Sequence, residues 1–171
     1  MLFTKHGDAG YTSVIGGSSL LKCDVRLEAL GALDEAQAHL GLARAMLAQT
    51  EWAESIRQVQ ADLRLLMTEC AIVPHNDFSG HYLTQQHVDR LESDISSWEE
   101  TIGDWTGFIT PGDTVPGARL HLARTVIRRA ERQVVALCQE GGMVNPWILS
   151  YLNRLSSWVY ALAMTVDKAA D

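Results

Sequence analysis

The 171-residue chain has few cysteines, and none stands in an arrangement that usually carries structure. Cys23, Cys70 and Cys138 are odd in number, widely spaced and without a CxxC pair. This pattern argues against both a disulfide framework and a cysteine-built metal site. Scattered free thiols are typical of proteins in a reducing compartment, so we expect a cytoplasmic location.

Long apolar runs and an excess of basic residues are also missing. No stretch approaches the roughly 20 apolar residues of a membrane-spanning helix, and residues 1–8 lack the basic and apolar regions of a secretory signal. The 14 Lys and Arg against 21 Asp and Glu give a net charge of −7, which argues against general nucleic-acid binding. We predict one domain over residues 1–171, with no membrane and no nucleic-acid partner.

What the chain does contain is helical periodicity, because apolar residues recur at three- and four-residue steps in five segments. The remaining residues form loops, including a long one over residues 1–23, and no segment alternates like a strand. The sequence therefore predicts an all-α, five-helix bundle with a long N-terminal loop. We expect four of its helices after Asp24, after Thr50, after Thr84 and over residues 120–139. The fifth should have Asn145 as its N-cap and Pro146 as its first helical position.

The fourth predicted helix carries a row of charges on one flank. At about 100° per residue, Arg124, Arg128, Glu131 and Arg132 lie together. Guanidinium groups one turn apart suit phosphate or carboxylate oxygens, although a solvated face with internal ion pairs is the alternative. In an acidic chain the row predicts a site for a small polyphosphate. The opposite flank is apolar and is expected in the core: Leu120, Val126, Ile127, Ala130, Val134 and Leu137.

The N-terminal loop has the composition of a phosphate cradle, since glycines permit close backbone approach and hydroxyl and ammonium groups bind oxygens. It is not a Walker sequence, because the GK[ST] ending is missing, and a flexible tail is the alternative. The residues concerned are Thr4, Lys5, Gly7, Gly10, Thr12, Ser13 and Lys22.

Three further polar residues interrupt apolar helix faces. Asp34 lies among leucines and alanines of the first helix, so we expect it to be buried with an arginine partner. Asn153, in the last helix, binds either a ligand or the neighbouring helix. His121 is interpreted as a hydrogen-bonded packing residue rather than a catalytic base.

No metal site is predicted from the histidines. His75, Asp77 and His81 share one loop, but their spacing is irregular and no cysteine lies nearby.

Taken together, these segments resemble the PduO-type ATP:cob(I)alamin adenosyltransferase family. That family carries, in order, TKTGDxGxT, GxxDELN, PGGT, LHxARTxxRRAER and YLNRLSD. The matching stretches here are Thr4-Lys-His-Gly-Asp-Ala-Gly-Tyr-Thr12, Gly31-Ala-Leu-Asp34-Glu35, Pro111-Gly-Asp-Thr114, Leu120-His-Leu-Ala-Arg124-Thr-Val-Ile-Arg128-Arg-Ala-Glu-Arg132 and Tyr151-Leu-Asn-Arg-Leu-Ser156.

The resemblance implies a homotrimer whose sites lie at subunit interfaces, with ATP between the N-terminal loop of one subunit and the arginine helix of the next. Asp34 would pair with Arg124 across the interface. Arg128, Glu131 and Phe108 would be the catalytic residues, with Phe108 displacing the lower axial ligand of cobalamin. The ligand-binding set would be Thr4, Lys5, His6, Gly7, Thr12, Ser13, Lys22, Arg128, Arg129, Glu131, Arg132 and Asn153.

The implied reaction transfers the 5′-deoxyadenosyl group of ATP to cob(I)alamin and releases triphosphate, with Mg²⁺ as the metal. A reductase and an adenosylcobalamin-dependent enzyme are the implied protein partners. The alternatives are an ATP- or cobalamin-binding carrier or sensor with little turnover, and a helical interaction protein without a ligand. Four residues depart from the family pattern: His6, Asp113, Ser157 and Met164.

Overall fold

The computed structural model describes residues 5–16, 19–73, 82–104, 107, 109–142 and 145–170. These residues contain the five predicted helices, which are therefore confirmed. None of them is long and apolar enough to cross a lipid bilayer. Their bounds are α1 Val25–Met46, α2 Trp52–Ala71, α3 Gln85–Ile102, α4 Val115–Gln139 and α5 Trp147–Lys168.

Three helix starts differ slightly from prediction, and the first is that of α2, which begins at Trp52 without a side-chain cap. α4 begins five residues before position 120, because Thr114 accepts a hydrogen bond from the Gly117 amide at 2.9 Å. α5 begins one residue late, at Trp147, whose amide donates to Asn145 Oδ1 at 3.0 Å. Asn145 therefore accepts a bond from the start of the helix, but Pro146 is the N-cap and not the first helical position as predicted.

The prediction that the N-terminal segment contains no strand is wrong. Strand β1 (Tyr11–Ser13) pairs with strand β2 (Ser19–Leu21) in an antiparallel hairpin, with Tyr11 opposite Leu21. Strands of three residues are too short to show alternation, so only their pairing reveals them. Gly10, at φ +83°, makes the turn into β1, and its carbonyl accepts from the Lys22 amide at 2.9 Å.

A short bridge fastens this hairpin to the bundle. The Ile15 amide donates to the Ala71 carbonyl at 3.1 Å, at the end of α2. The hairpin is therefore attached to the bundle at the end of α2.

The helices pack in the order α2–α1–α4–α5–α3, so α1 and α4 are the central pair. One apolar cluster fills the space between them, with Trp158 and Tyr151 its largest fully buried side chains. The predicted apolar flank of α4 belongs to this cluster and is confirmed. Because α4 lies between α1 and α5, its polar residues face two different neighbours. The buried members of that flank are Leu120, Val126, Ile127, Ala130, Val134 and Leu137.

Buried polar groups fasten the ends of the helices. Arg26, only 5% exposed, donates to the carbonyls of Cys70, Ile72 (2.8 Å) and Gly142 (3.1 Å). These carbonyls belong to the end of α2 and the loop after α4. One guanidinium therefore joins carbonyl groups from two parts of the chain.

Candidate functional site

A pocket of about 310 Å³ opens between α4 and α5; we call it the α4–α5 pocket. Among the described residues, two guanidinium groups, one imidazole and three hydroxyls line it, and no carboxylate does. This donor set suits an anionic group. Its lining residues are Ile109, His121, Arg124, Arg128, Ser156, Ser157 and Tyr160.

Arg124 enters this pocket without an ion-pair partner among the described residues of one protomer. Its Nε atom is buried and makes no hydrogen bond there. The guanidinium instead lies over the ring of Tyr160, 5.5 Å from the ring centroid. A cation–π contact of this kind holds the charge while leaving the outer edge of the guanidinium open.

His121 lies beside Arg124 and is buried, at 3% exposure. The packing part of its prediction is confirmed, since its ring meets Tyr160 edge-on at 5.8 Å. The hydrogen-bonding part is wrong for the described residues, because neither ring nitrogen has a partner there. Burial, and then the charge of Arg124, lowers the pKa of His121, so the ring is neutral near pH 7.

Glu131 and Asn153 join α4 to α5. The Asn153 side-chain amide donates to Glu131 Oε1 at 3.2 Å. Of the two possibilities for Asn153, the bond to the neighbouring helix is therefore present, and ligand binding stays a prediction. This bond brings together two residues 22 positions apart that the sequence had assigned to the same site.

The arginine row divides between the two neighbours of α4. Arg128 lines the pocket on the α5 side, whereas Arg129 makes an ion pair with Glu35 of α1. Arg132, one turn after Arg128, is exposed. Arg129 also borders a second cavity of about 300 Å³ between α1 and α4, which includes Glu28 and Gln133.

Asp34 is exposed, contrary to the expectation of burial. Its neighbours Leu33 and Ala36 are fully buried, but Gly31 and Glu35 on its own side of α1 are exposed too. Asp34 therefore lies on the solvent-exposed face of α1, and its carboxylate points away from the core of the protomer. Its pairing with Arg124 across an interface stays a prediction.

The N-terminal loop gathers its two lysines around a glycine. A Cβ atom at Gly7 would lie 2.9 Å from Lys22 Nζ, so the ammonium group folds closely over this position. Lys5, at φ +64°, and His6 are exposed beside it. Thr12 and Ser13 lie on β1. No hydrogen bond joins this loop to α4 among the described residues of one protomer.

Several predicted residues cannot be placed. Thr4 and Phe108 lie outside the described residues, as do His75, Asp77 and His81. In the described part of the chain, no group of three or more histidines, cysteines and carboxylates is placed to hold a metal ion.

Tyr160 is a pocket residue that the sequence reasoning missed. It lies three and four positions after Ser157 and Ser156, so all three share one flank of α5. That spacing was available in the sequence, but an aromatic residue in an apolar helix is ordinarily interpreted as core. Its partner Arg124 is a non-local contact, which spacing does not reveal.

Comparison with known proteins gives consistent matches over nearly the whole chain. Residues 2–166 match the family model described as cobalamin adenosyltransferase. The corrinoid adenosyltransferase of Bacillus subtilis is 35% identical over 170 residues, covering 97% of this chain and 86% of that protein. The corrinoid adenosyltransferase PduO of Salmonella typhimurium is 34% identical, and its match covers 99% of this chain but 50% of its own length.

A solved structure matches the fold equally closely. It is a phenylalanine-to-alanine variant of the PduO-type ATP:corrinoid adenosyltransferase from Lactobacillus reuteri, complexed with cobalamin and ATP. The TM-score is 0.92 at 30% sequence identity, over 98% of this chain and 93% of that one.

Proposed function

This chain belongs to the cobalamin adenosyltransferase family, and we propose that it transfers the 5′-deoxyadenosyl group of ATP to cob(I)alamin, releasing triphosphate. The observation that carries the proposal on the chain itself is the exposed Arg128 at the α4–α5 pocket, followed one turn later on α4 by the exposed Arg132. Such a pocket fits a reaction whose leaving group is a polyanion.

The proposed chemistry does not require an acid–base pair in the pocket. The cobalt of cob(I)alamin supplies the electron pair that attacks the 5′ carbon of ATP. The bond from that carbon to the triphosphate oxygen breaks, and triphosphate leaves with the electron pair. The protein therefore needs no nucleophile of its own, and its tasks are to orient the two substrates and to stabilise negative charge on the leaving group.

Arg128 and Arg132 are the residues that we assign to the triphosphate. They lie one turn apart on α4, so both guanidinium groups can reach one chain of phosphates. Glu131 lies between them and is tied to Asn153 of α5. We propose that Glu131 and Asn153 complete the site beside these arginines. Arg129 is a secondary member of the proposed nucleotide site, because it already makes an ion pair with Glu35.

The N-terminal loop would contribute from a neighbouring subunit. Lys5 and Lys22 flank Gly7, whose missing side chain leaves room for the Lys22 ammonium group. We propose that this cradle binds ATP together with Thr4, His6, Thr12 and Ser13. A homotrimer supplies the required arrangement.

The interface itself rests on charge complementarity. Asp34 is exposed on α1 and Arg124 is without a carboxylate partner in the described protomer. We propose that they pair between subunits. Phe108 is proposed to displace the lower axial ligand of cobalamin, and its neighbour Ile109 lines the α4–α5 pocket.

In the described part of the chain, no group of three or more histidines, cysteines and carboxylates could hold Mg²⁺. Since Mg²⁺ commonly binds through substrate phosphates and few protein groups, it would arrive on the triphosphate of ATP. We further propose that residues 1–171 act as one cytoplasmic domain. A reductase would supply cob(I)alamin, and an adenosylcobalamin-dependent enzyme would receive the product.

The test is direct turnover. The protein is incubated with ATP, Mg²⁺ and chemically reduced cobalamin, and the corrin absorbance is followed while triphosphate is assayed. Formation of the cobalt–carbon product together with triphosphate supports the enzyme. Binding of both substrates without product would favour the carrier or sensor instead.

A further inference from the structure

In the α4–α5 pocket, three side chains stack on one another, and the proposed reaction gives this stack no role. The ring of Tyr160 has the guanidinium of Arg124 over it, 5.5 Å from its centroid, and the edge-on ring of His121 at 5.8 Å. Tyr160 therefore contacts both of the α4 side chains that have buried, unpartnered nitrogen atoms among the described residues.

The stack fixes Arg124 without using its hydrogen-bonding capacity. An arginine is ordinarily held by carboxylates or carbonyls that occupy its forked donors, as Arg26 is here. Arg124 has no ion pair among the described residues, and its buried Nε atom bonds nothing there. Its direction is set by the aromatic face beneath it.

The neutral state of His121 supports the same arrangement. Burial and the neighbouring Arg124 charge lower its pKa, so the imidazole adds no second positive charge beside the guanidinium. The ring instead packs against Tyr160 and limits how far the tyrosine can turn.

We infer that Tyr160 is a positioning residue: with His121 behind it, it holds the Arg124 guanidinium ready for the Asp34 carboxylate of a second copy of the chain. This inference rests on the proposed function, which supplies the Asp34–Arg124 pair. Charge favours this occupant, because Asp34 is exposed and the described lining of the α4–α5 pocket contains two arginines and no carboxylate.

The positioning role belongs to the aromatic ring of Tyr160 and not to its hydroxyl group. Tyr160→Leu removes the aromatic face, whereas Tyr160→Phe keeps it. We expect Tyr160→Leu to raise the dissociation constant of the assembly by about tenfold, as a lost cation–π contact in a coupled pair would. Tyr160→Phe should raise that dissociation constant less than Tyr160→Leu does, because the aromatic face under Arg124 is kept.

A double-mutant cycle distinguishes positioning from ordinary packing. The dissociation constant is measured by sedimentation for the wild type, Tyr160→Leu, Asp34→Asn and the double variant. If Tyr160 acts through the Arg124–Asp34 pair, Tyr160→Leu has less than about a twofold further effect in the Asp34→Asn background. Equal losses in both backgrounds would mean that Tyr160 only packs, and would overturn the inference. Circular dichroism confirms that each variant is folded.

Failure of the inference and failure of the proposed function give different results. A wild-type protein that neither assembles nor makes product refutes the proposed function. A wild type that assembles and turns over, is weakened by Asp34→Asn and is unaffected by Tyr160→Leu refutes only the role of Tyr160.

Discussion

Arg129 makes an ion pair with Glu35 of α1, although the residue before it, Arg128, lines the pocket on the α5 side of the same helix. Adjacent helix positions differ by about 100°, so one step along the chain changes the neighbouring helix. The arginine row is therefore not one surface. Its members must be tested separately.

The first prediction concerns Arg128. We expect Arg128→Ala to lower turnover by roughly a hundredfold or more, because a charge that stabilises the leaving triphosphate is lost. Its unfolding midpoint should change little, since the side chain is exposed. The measurements are kcat by corrin absorbance and the urea midpoint by circular dichroism.

Arg57→Ala is the matched control for that variant. Arg57 is also an exposed helical arginine, but it pairs with Glu54 on α2, away from the α4–α5 pocket. Its loss should leave kcat unchanged. If Arg128→Ala unfolds the protein, or if both variants lose activity equally, Arg128 has no specific role.

The second prediction concerns pH. Because the pKa of His121 is lowered from 6.5 in the folded protein, the unfolded state takes up a proton first as the pH falls below that value. The free energy of unfolding should therefore decrease as the pH falls through 6.5. Above pH 6.5, the stability that comes from keeping His121 neutral should be fully present. Urea midpoints between pH 5 and pH 8 would measure the slope.

His121→Phe keeps a ring against Tyr160 but cannot titrate. Over the same pH range, the free energy of unfolding of His121→Phe should fall less steeply than that of the wild type. The difference in slope should correspond to at most one proton taken up on unfolding. An identical slope in the two proteins would show that His121 does not contribute to the acid sensitivity.

The third prediction concerns the start of α4. Thr114 donates a hydrogen bond to Asp167 Oδ1 at 2.5 Å, which brings this carboxylate over Gly117. An added Cβ at Gly117 would overlap the carboxylate. Gly117→Ala should therefore destabilise the protein by about 1–3 kcal/mol, which exceeds the gain of up to about 1 kcal/mol from helix propensity.

Two comparisons test this steric explanation by urea unfolding. Gly31→Ala, on an exposed face of α1 with open space around the new atom, should be neutral or stabilising within the protomer. Adding Asp167→Ala should make Gly117→Ala less harmful than it is alone. If Asp167→Ala leaves the Gly117→Ala penalty unchanged, the clash lies elsewhere.

The fourth prediction concerns the reactivity of two cysteines, Cys70 and Cys23. Burial raises the pKa of Cys70 to about 12, so its reactive thiolate is scarce at neutral pH and inaccessible as well. Cys23 is exposed. A thiol reagent at pH 7.5 should modify Cys23 in the folded protein and Cys70 only after denaturation.

Peptide mapping after a brief and a long exposure would identify the modified residues. A Cys23→Ser variant is the control, because it should abolish the rapid phase. Rapid labelling of Cys70 in the folded protein would contradict its burial in the core.

The sequence alone determined the five helices, because the 3.6-residue period and the capping residues act over a few positions of chain. The apolar flank of α4, the cap at Asp24 and the bond that Asn145 accepts from the start of α5 are such local features. The family motifs were equally readable, since they are strings of neighbouring residues.

The tertiary structure decided the features that depend on distant parts of the chain. The β1–β2 hairpin exists because two three-residue strands find each other, and Asp34 is exposed because of how α1 turns towards its neighbours. The division of the arginine row between α1 and α5, and the stack of Arg124 on Tyr160, join residues far apart in sequence. Such contacts depend on packing geometry, which no local period encodes.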